Sequence, residues 1–297
     1  MDPHDLPIIR AQGGAFTAQQ ARQWCRWEEL REWERVGLVV RQSHSILHLA
    51  DAAADVASRI ARAELAVGQQ LIACRSTAAE LHGFDVIGDG SLHVTTVNGR
   101  SVRAPQGVTV HQMALRSPVM LATGQLATNP ADTAVDVAAS ARDIDVLAVL
   151  DAALRVGVGL CEITEAVERA ARMRGIVEVR RQLPWASPFA ESAMESRTRF
   201  RIHQAGLPAP ELQINVPIAH RGSRRLDLGW RHKRVGVEYD GQDFHSGDGS
   251  LDKDRQRARE LLEAGWTVVN ITAGDVYRSP KHFTDLLRSL LYSTQSS

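Results

Sequence analysis

Three cysteines are few for a chain of 297 residues. Cys25, Cys74 and Cys161 lie far apart and no CxxC spacing occurs, so neither a disulfide framework nor a zinc site is supported. The N-terminal segment has no basic start followed by an apolar run, which excludes a secretory signal. No apolar stretch approaches the roughly 18 residues that a membrane span needs. Net charge is also missing: 35 basic residues face 35 acidic ones, so no global basic field advertises a nucleic-acid partner. These absences lead us to expect a reduced, cytoplasmic protein with no membrane partner.

What is present is ordinary in amount and uneven in place. Hydrophobic content of 44% and charged content of 24% suit a soluble globular chain of two or three domains. Residues 1–180 hold 18 Lys and Arg against 21 Asp and Glu, whereas residues 181–297 hold 17 against 14. Arg221, Arg224, Arg225, Arg231, Lys233 and Arg234 bracket Asp227, the kind of local patch a phosphate backbone needs.

The order of elements predicts three domains, 1–58, 59–184 and 185–297. In the first, a short helix near Leu6, Ile8 and Ile9 precedes Thr17 and Gln20, whose spacing is a capping box. A third helix is expected over Trp27 to Val36, stopped at Gly37, then strands at 38–41 and 45–49. Helix, helix, helix, hairpin is the order of a winged helix-turn-helix. Its reading helix carries Glu28, Glu29, Glu32 and Glu34 against Arg26, Arg31 and Arg35. Acids repel phosphate, so this unit is expected to dock on the middle domain or on a protein partner rather than grip DNA alone. Trp24, Trp27 and Trp33 are expected in its core. The second domain reads as an α+β scaffold, with a helix over 52–70, a short helix capped by Ser76, strands at 92–96 and 108–111, and three amphipathic helices between Pro130 and Arg174. His82, His93 and His111 read there as isolated residues. In the third, Ser187-Pro188 predicts the cap of a helix running to Ala205, placing Glu191 and Glu195 on one face. The order from there is α-β-β-β-α-β-α, with a parallel crossover around the helix that follows Asp252.

The chemistry concentrates in residues 223–245. Leu226, Leu228 and Trp230 alternate with Arg225, Asp227 and Gly229; Val235, Val237 and Tyr239 alternate with Gly236, Glu238 and Asp240. A tight turn over Arg231 to Arg234 pairs Trp230 with Val235 and so sets Asp227 opposite Glu238. Asp240 joins them on the same face. Clustered carboxylates repel unless a cation or proton intervenes, and Mg²⁺ takes such oxygen ligands. The plainer alternative is a solvated face whose acids pair with Arg225 and Arg231.

This order, with Leu226-Asp227-Leu228, Val237-Glu238-Tyr239-Asp240-Gly241, His245, Asp254-Arg255 and Gly265-Trp266-Thr267-Val268, resembles the restriction-endonuclease-like PD-(D/E)xK fold. More closely it resembles the very-short-patch-repair-endonuclease-like domain of unknown function. The layout is similar to an actinobacterial three-part version. There a winged helix like that of AbiEi-type type IV antitoxins leads, followed by motifs like Arg75-Ser76-Thr77-Ala78-Ala79 and Pro130-Ala131-Asp132-Thr133. The resemblance implies an α/β multidomain protein with a C-terminal mixed sheet flanked by helices. It implies Mg²⁺ or Mn²⁺ held by Asp227, Glu238 and Asp240, with Glu195 completing the catalytic set and His245 moving a proton. Arg225, Arg231, Lys233, Arg234 and Arg255 would contact nucleic acid, with DNA the expected substrate. Asp240 stands where the nuclease pattern has lysine. A non-enzymatic DNA-binding regulator or type IV antitoxin-like protein with a degenerate nuclease fold is the alternative.

Overall fold

The structure, a computed structural model, describes residues 2–6, 8–9, 12–98, 102–113, 118–218, 222–241 and 248–293, without the side chains of 248–254. His245 and Arg221 lie outside the described residues, as does the side chain of Asp254. The chain forms two compact units, 1–137 and 138–297. Among the described residues, no helix is long and apolar enough to cross a membrane.

After a single 3-10 turn (Pro3–Asp5), the first unit runs through β1 (Ala15–Thr17), α1 (Ala18–Trp24), α2 (Trp27–Arg35), β2 (Val39–Arg41) and β3 (Ile46–Leu49). The Thr17 capping box forms: Thr17 Oγ1 accepts from the Gln20 amide at 3.0 Å and Gln20 Oε1 accepts from the Thr17 amide at 2.7 Å. At the start of α2 only the returning half of such a box forms, the Arg26 amide donating to Glu29 Oε2 at 2.7 Å. β1 joins the hairpin on the far side of β3, giving an antiparallel sheet ordered β1-β3-β2. Phe16, Leu30, Trp33 and Leu47 fill its core. Trp27, expected in that core, is instead 40% exposed, with Arg31 and Arg41 lying over its ring. As the first residue of α2 it precedes the helix's buried positions, Leu30 and Trp33.

α3 (Val56–Val67), capped by Asp55 and closed by Gly68, leads into β4 (Leu71–Ala73) and α4 (Arg75–Leu81). Cys74, not Ser76, occupies the N-cap of α4. β5 (Leu92–Thr96), β6 (Val108–Val110), β7 (Val119–Met120) and β8 (Leu126–Ala127) complete a mixed sheet ordered β6-β5-β4-β8-β7. β5 and β6 run parallel, matching His93 to Thr109.

α5 (Pro130–Ser140) leads into α6 (Asp143–Arg155), buried along ten consecutive residues, Ile144 to Ala153. A helix buried on all sides belongs inside a core; Ile144 and Leu147 pack among Phe200, Leu228, Trp230, Val237 and Phe283, and its buried Asp145 and Asp151 pair with Arg197 and Arg199. α7 (Leu160–Arg169), α8 (Ile176–Gln182) and α9 (Ala193–Gln204) follow. α9 starts at Ser192, whose Oγ accepts from the Glu195 amide at 3.1 Å. Ser187, expected as the cap, instead donates its amide to Asp151 at 2.7 Å. Glu191 therefore lies outside the helix.

The last sheet is ordered β12-β11-β10-β9, from β9 (Glu211–Ile218), β10 (Gly222–Trp230), β11 (Val235–Tyr239) and β12 (Thr267–Ile271). The first three are antiparallel neighbours, and β11 and β12 are parallel across α10 (Asp248–Glu263). α11 (Ala273–Tyr277) and α12 (Pro280–Tyr292) close the chain. Pro217 lies within β9; β9 is an edge strand, the position where a strand tolerates proline.

Candidate functional site

The hairpin register is the one the turn dictates: Trp230 pairs with Val235, Gly229 with Gly236 and Leu228 with Val237. The ladder then breaks. β10 pairs with β9 through Leu226–Ile214 and Leu228–Leu212 but skips Asp227 and Gln213 between them. Gln213 has φ +51, a left-handed conformation that costs a non-glycine residue about 1–2 kcal/mol. The alternation fails at the same point. Leu226 packs with Ile214, Val216 and the α10 residue Leu261. Leu228 and Trp230 pack with Phe200 of α9 and Phe283 of α12. The three were expected on one face; the kink divides them.

The acids follow the kink. Asp227 Oδ2 accepts from the Tyr239 amide at 3.0 Å, taking the place of a ladder bond. Glu195, 6% exposed, accepts from the Glu191 amide at 3.0 Å and from Gln213 Nε2 at 2.9 Å. Burial pushes its carboxyl above the ordinary value; the Glu191 amide opposes this, and the Asp227 charge adds to it. Glu195 and Asp227 are thus within electrostatic reach of each other. Arg199, one turn along α9 from Glu195, binds Asp151.

Glu238 takes a different partner. The Arg257 guanidinium of α10 forms an ion pair with it and also donates to the Arg225 carbonyl at 2.6 Å. Glu238, Tyr239, Asp240, Arg257, Trp266 and Asn270 line a cavity of about 490 Å³. Asp240 is exposed. Among the described residues, no group of three His, Cys, Asp or Glu side chains comes together in a way that could hold a metal ion. In this arrangement amides and a guanidinium of the chain itself occupy Asp227 and Glu238.

The expected phosphate contacts are also partly engaged. Arg225 pairs with Glu191 at 2.6 Å and Arg231 with Glu211 at 2.8 Å. Arg234 closes the turn at φ +52. Lys233, Arg234 and Arg255 are exposed. Sequence reasoning missed Gln213 and Arg257. Neither has a local signal: Gln213 is defined by a backbone angle, and Arg257 by a helix packed on a strand 19 residues away.

A second polar cluster lies in the first unit. His93 and His111, read as isolated, stack with His93 Nδ1 2.8 Å from His111 Nε2. The parallel β5–β6 register brings them together across 18 residues. Arg75, at φ +51, faces Asp136 with Nε–Oδ2 at 3.7 Å. Burial pushes His111 down to about 4, with Arg75 and His93 adding, and pushes the Cys74 thiol up to about 12.

Residues 71–183, which contain this cluster, match the family model described as the AbiEi antitoxin C-terminal domain. Two uncharacterized proteins of Mycobacterium tuberculosis, MT2308 and Rv2248, are each 40% identical to the chain over 228 residues, spanning 76% of this chain and 83% of theirs.

Proposed function

This chain belongs to the same family as the two mycobacterial proteins, and from that premise we propose that it is an antitoxin-like, DNA-binding regulator. Its C-terminal sheet serves as a binding module rather than a hydrolytic centre. The observation that carries this reading is the closure of the acid site: Glu238 is taken by Arg257 and Asp227 by the Tyr239 amide. The match of residues 71–183 to an antitoxin domain supports it from the other half of the chain. The leading 50 residues suit a winged helix-turn-helix, with α2 in the reading position and β2–β3 as the wing. An antitoxin acts against a toxin, so a protein partner belongs to the same reading. The exposed turn at Lys233 and Arg234 is available to phosphate.

A second reading, metal-dependent phosphodiester cleavage at Asp227 and Glu238, draws on one feature. Backbone strain of the kind seen at Gln213 gathers at functional sites. A supercoiled plasmid incubated with the full chain and Mg²⁺ or Mn²⁺ separates the two. We expect the plasmid to stay intact and a duplex gel shift to persist in chelator. Metal-dependent nicking that Asp227→Asn abolishes would overturn the regulator in favour of the nuclease.

A further inference from the structure

We infer that the turn and helix from Arg169 to Arg181 form a contact surface for the phosphate backbone of duplex DNA. The inference rests on the DNA-binding reading above and names a surface for it. Residues 169–181 hold five arginines, at 169, 172, 174, 180 and 181, against one acid, Glu178. Arg169 is near Glu165 at 3.8 Å and Arg181 pairs with Glu178. Arg172, Arg174 and Arg180 are exposed and make no ion pair among the described residues.

The contrast with the expected reading helix gives this segment its weight. On α2, Arg35 is held by Glu32 at 2.7 Å through Nε, and Glu34 holds Arg41 of the wing. Arg31 lies over Trp27. Cations already neutralised by neighbouring carboxylates release few counterions from DNA, and counterion release supplies most non-specific affinity. The 169–181 segment keeps three such charges unspent.

It is also held in place. Gly175 has φ +85, and a Cβ there would overlap the Ala139 carbonyl. Only glycine lets the turn approach α5 so closely. Ile176, Val179 and Gln182 form the buried face of α8, and Gln182 Nε2 donates to the Asp143 carbonyl at 2.7 Å. Binding therefore needs little ordering of the backbone. Val177, 76% exposed, lies between Arg174 and Arg180 in sequence, and Glu178, the one acid of the segment, is taken up by Arg181.

The test is the salt dependence of full-chain binding to a random duplex. Replacing Arg172, Arg174 and Arg180 together by Ala should lower the slope of log K against log salt by about 0.9 for each phosphate that is no longer neutralised. Affinity near 0.1 M salt should fall at least about tenfold, with the melting midpoint unchanged. If the triple change disturbs the melt, Arg180→Gln alone should still remove about 0.9 from the slope. A wild type that binds duplex while both variants keep its slope would overturn this surface and leave the regulator reading standing. A wild type that binds no duplex at low salt would overturn both. Intact duplex binding with abolished polyglutamate binding in the triple variant would overturn DNA as the occupant and give the ridge to an acidic protein.

Discussion

Asp136 in the first unit and Asp151 in the second are both carboxyls that burial pushes above the ordinary value, with a nearby arginine opposing, yet they are held differently. Asp151 is saturated: it accepts from Ser196 Oγ, Arg199 Nη1 and the Ser187 amide, each at 2.7 Å. Asp136 faces Arg75 at 3.7 Å, beyond hydrogen-bond length, and Arg75 holds a left-handed backbone to do so. Burial sets the direction of the shift in both. The Asp151 network ties α6 to α9 and to the segment before it through three hydrogen bonds, one of them from a guanidinium. Arg75 stands near Asp136 without a hydrogen bond from its Nε to Oδ2, beside two histidines that stack on each other.

The largest effect expected from this difference comes from removing Arg199. Arg199→Ala leaves Asp151 buried with neutral donors only. A buried ion left without its partner typically costs about 3–5 kcal/mol, to be read from urea unfolding. A loss below about 1 kcal/mol would mean that Asp151 is protonated in the folded chain and that the two carboxyls are more alike than their surroundings imply. A smaller effect isolates backbone strain. Arg75→Gly should be more stable than Arg75→Ala by about 1 kcal/mol, since both lose the guanidinium and only glycine relaxes the positive φ. The same difference is expected between Gln213→Gly and Gln213→Ala. If glycine brings no advantage at either position, strain is not what the two sites share.

The smallest effect concerns pH. His111 in the first unit and His203 in the second are both pushed down to about 4 by burial, from an ordinary value of 6.5. The unfolded chain takes up these protons near pH 6.5 and the folded chain resists them until about 4. Their contribution to stability is therefore complete above the ordinary value and is lost as pH falls through that interval. Solvent screening of half-buried rings limits each loss to about 1 kcal/mol or less. His111→Gln should flatten the decline in melting midpoint between about pH 7 and pH 5. An equally steep decline would assign it to other groups, such as His203 against Trp185.

Local rules made much of this legible. The Thr17 capping box, the stop at Gly37, the Trp230–Val235 register and the parallel crossover between β11 and β12 follow from spacing and turn length alone. The antitoxin likeness, expected in the leading winged helix, falls instead on residues 71–183, the stretch that holds Arg75-Ser76-Thr77-Ala78-Ala79 and Pro130-Ala131-Asp132-Thr133. What escaped was set by tertiary context. β1 is three residues long, too short to show a period. Ser192 with Glu195 at the third helical position won the cap over Ser187-Pro188, because the Ser187 amide is drawn to Asp151. The division of Leu226 from Leu228 arises at Gln213, a residue type that gives no warning of a positive φ. Arg257 reaches Glu238 from the following helix, and no strand-pairing argument could have placed it there.

Pro217 on the outer strand of the last sheet bears on how these chains behave in a crowd. An outer strand offers a row of unpaired amides and carbonyls on which another molecule can grow. At Pro217 that row lacks a donor. Growth of the sheet past β9 would therefore meet a missing rung.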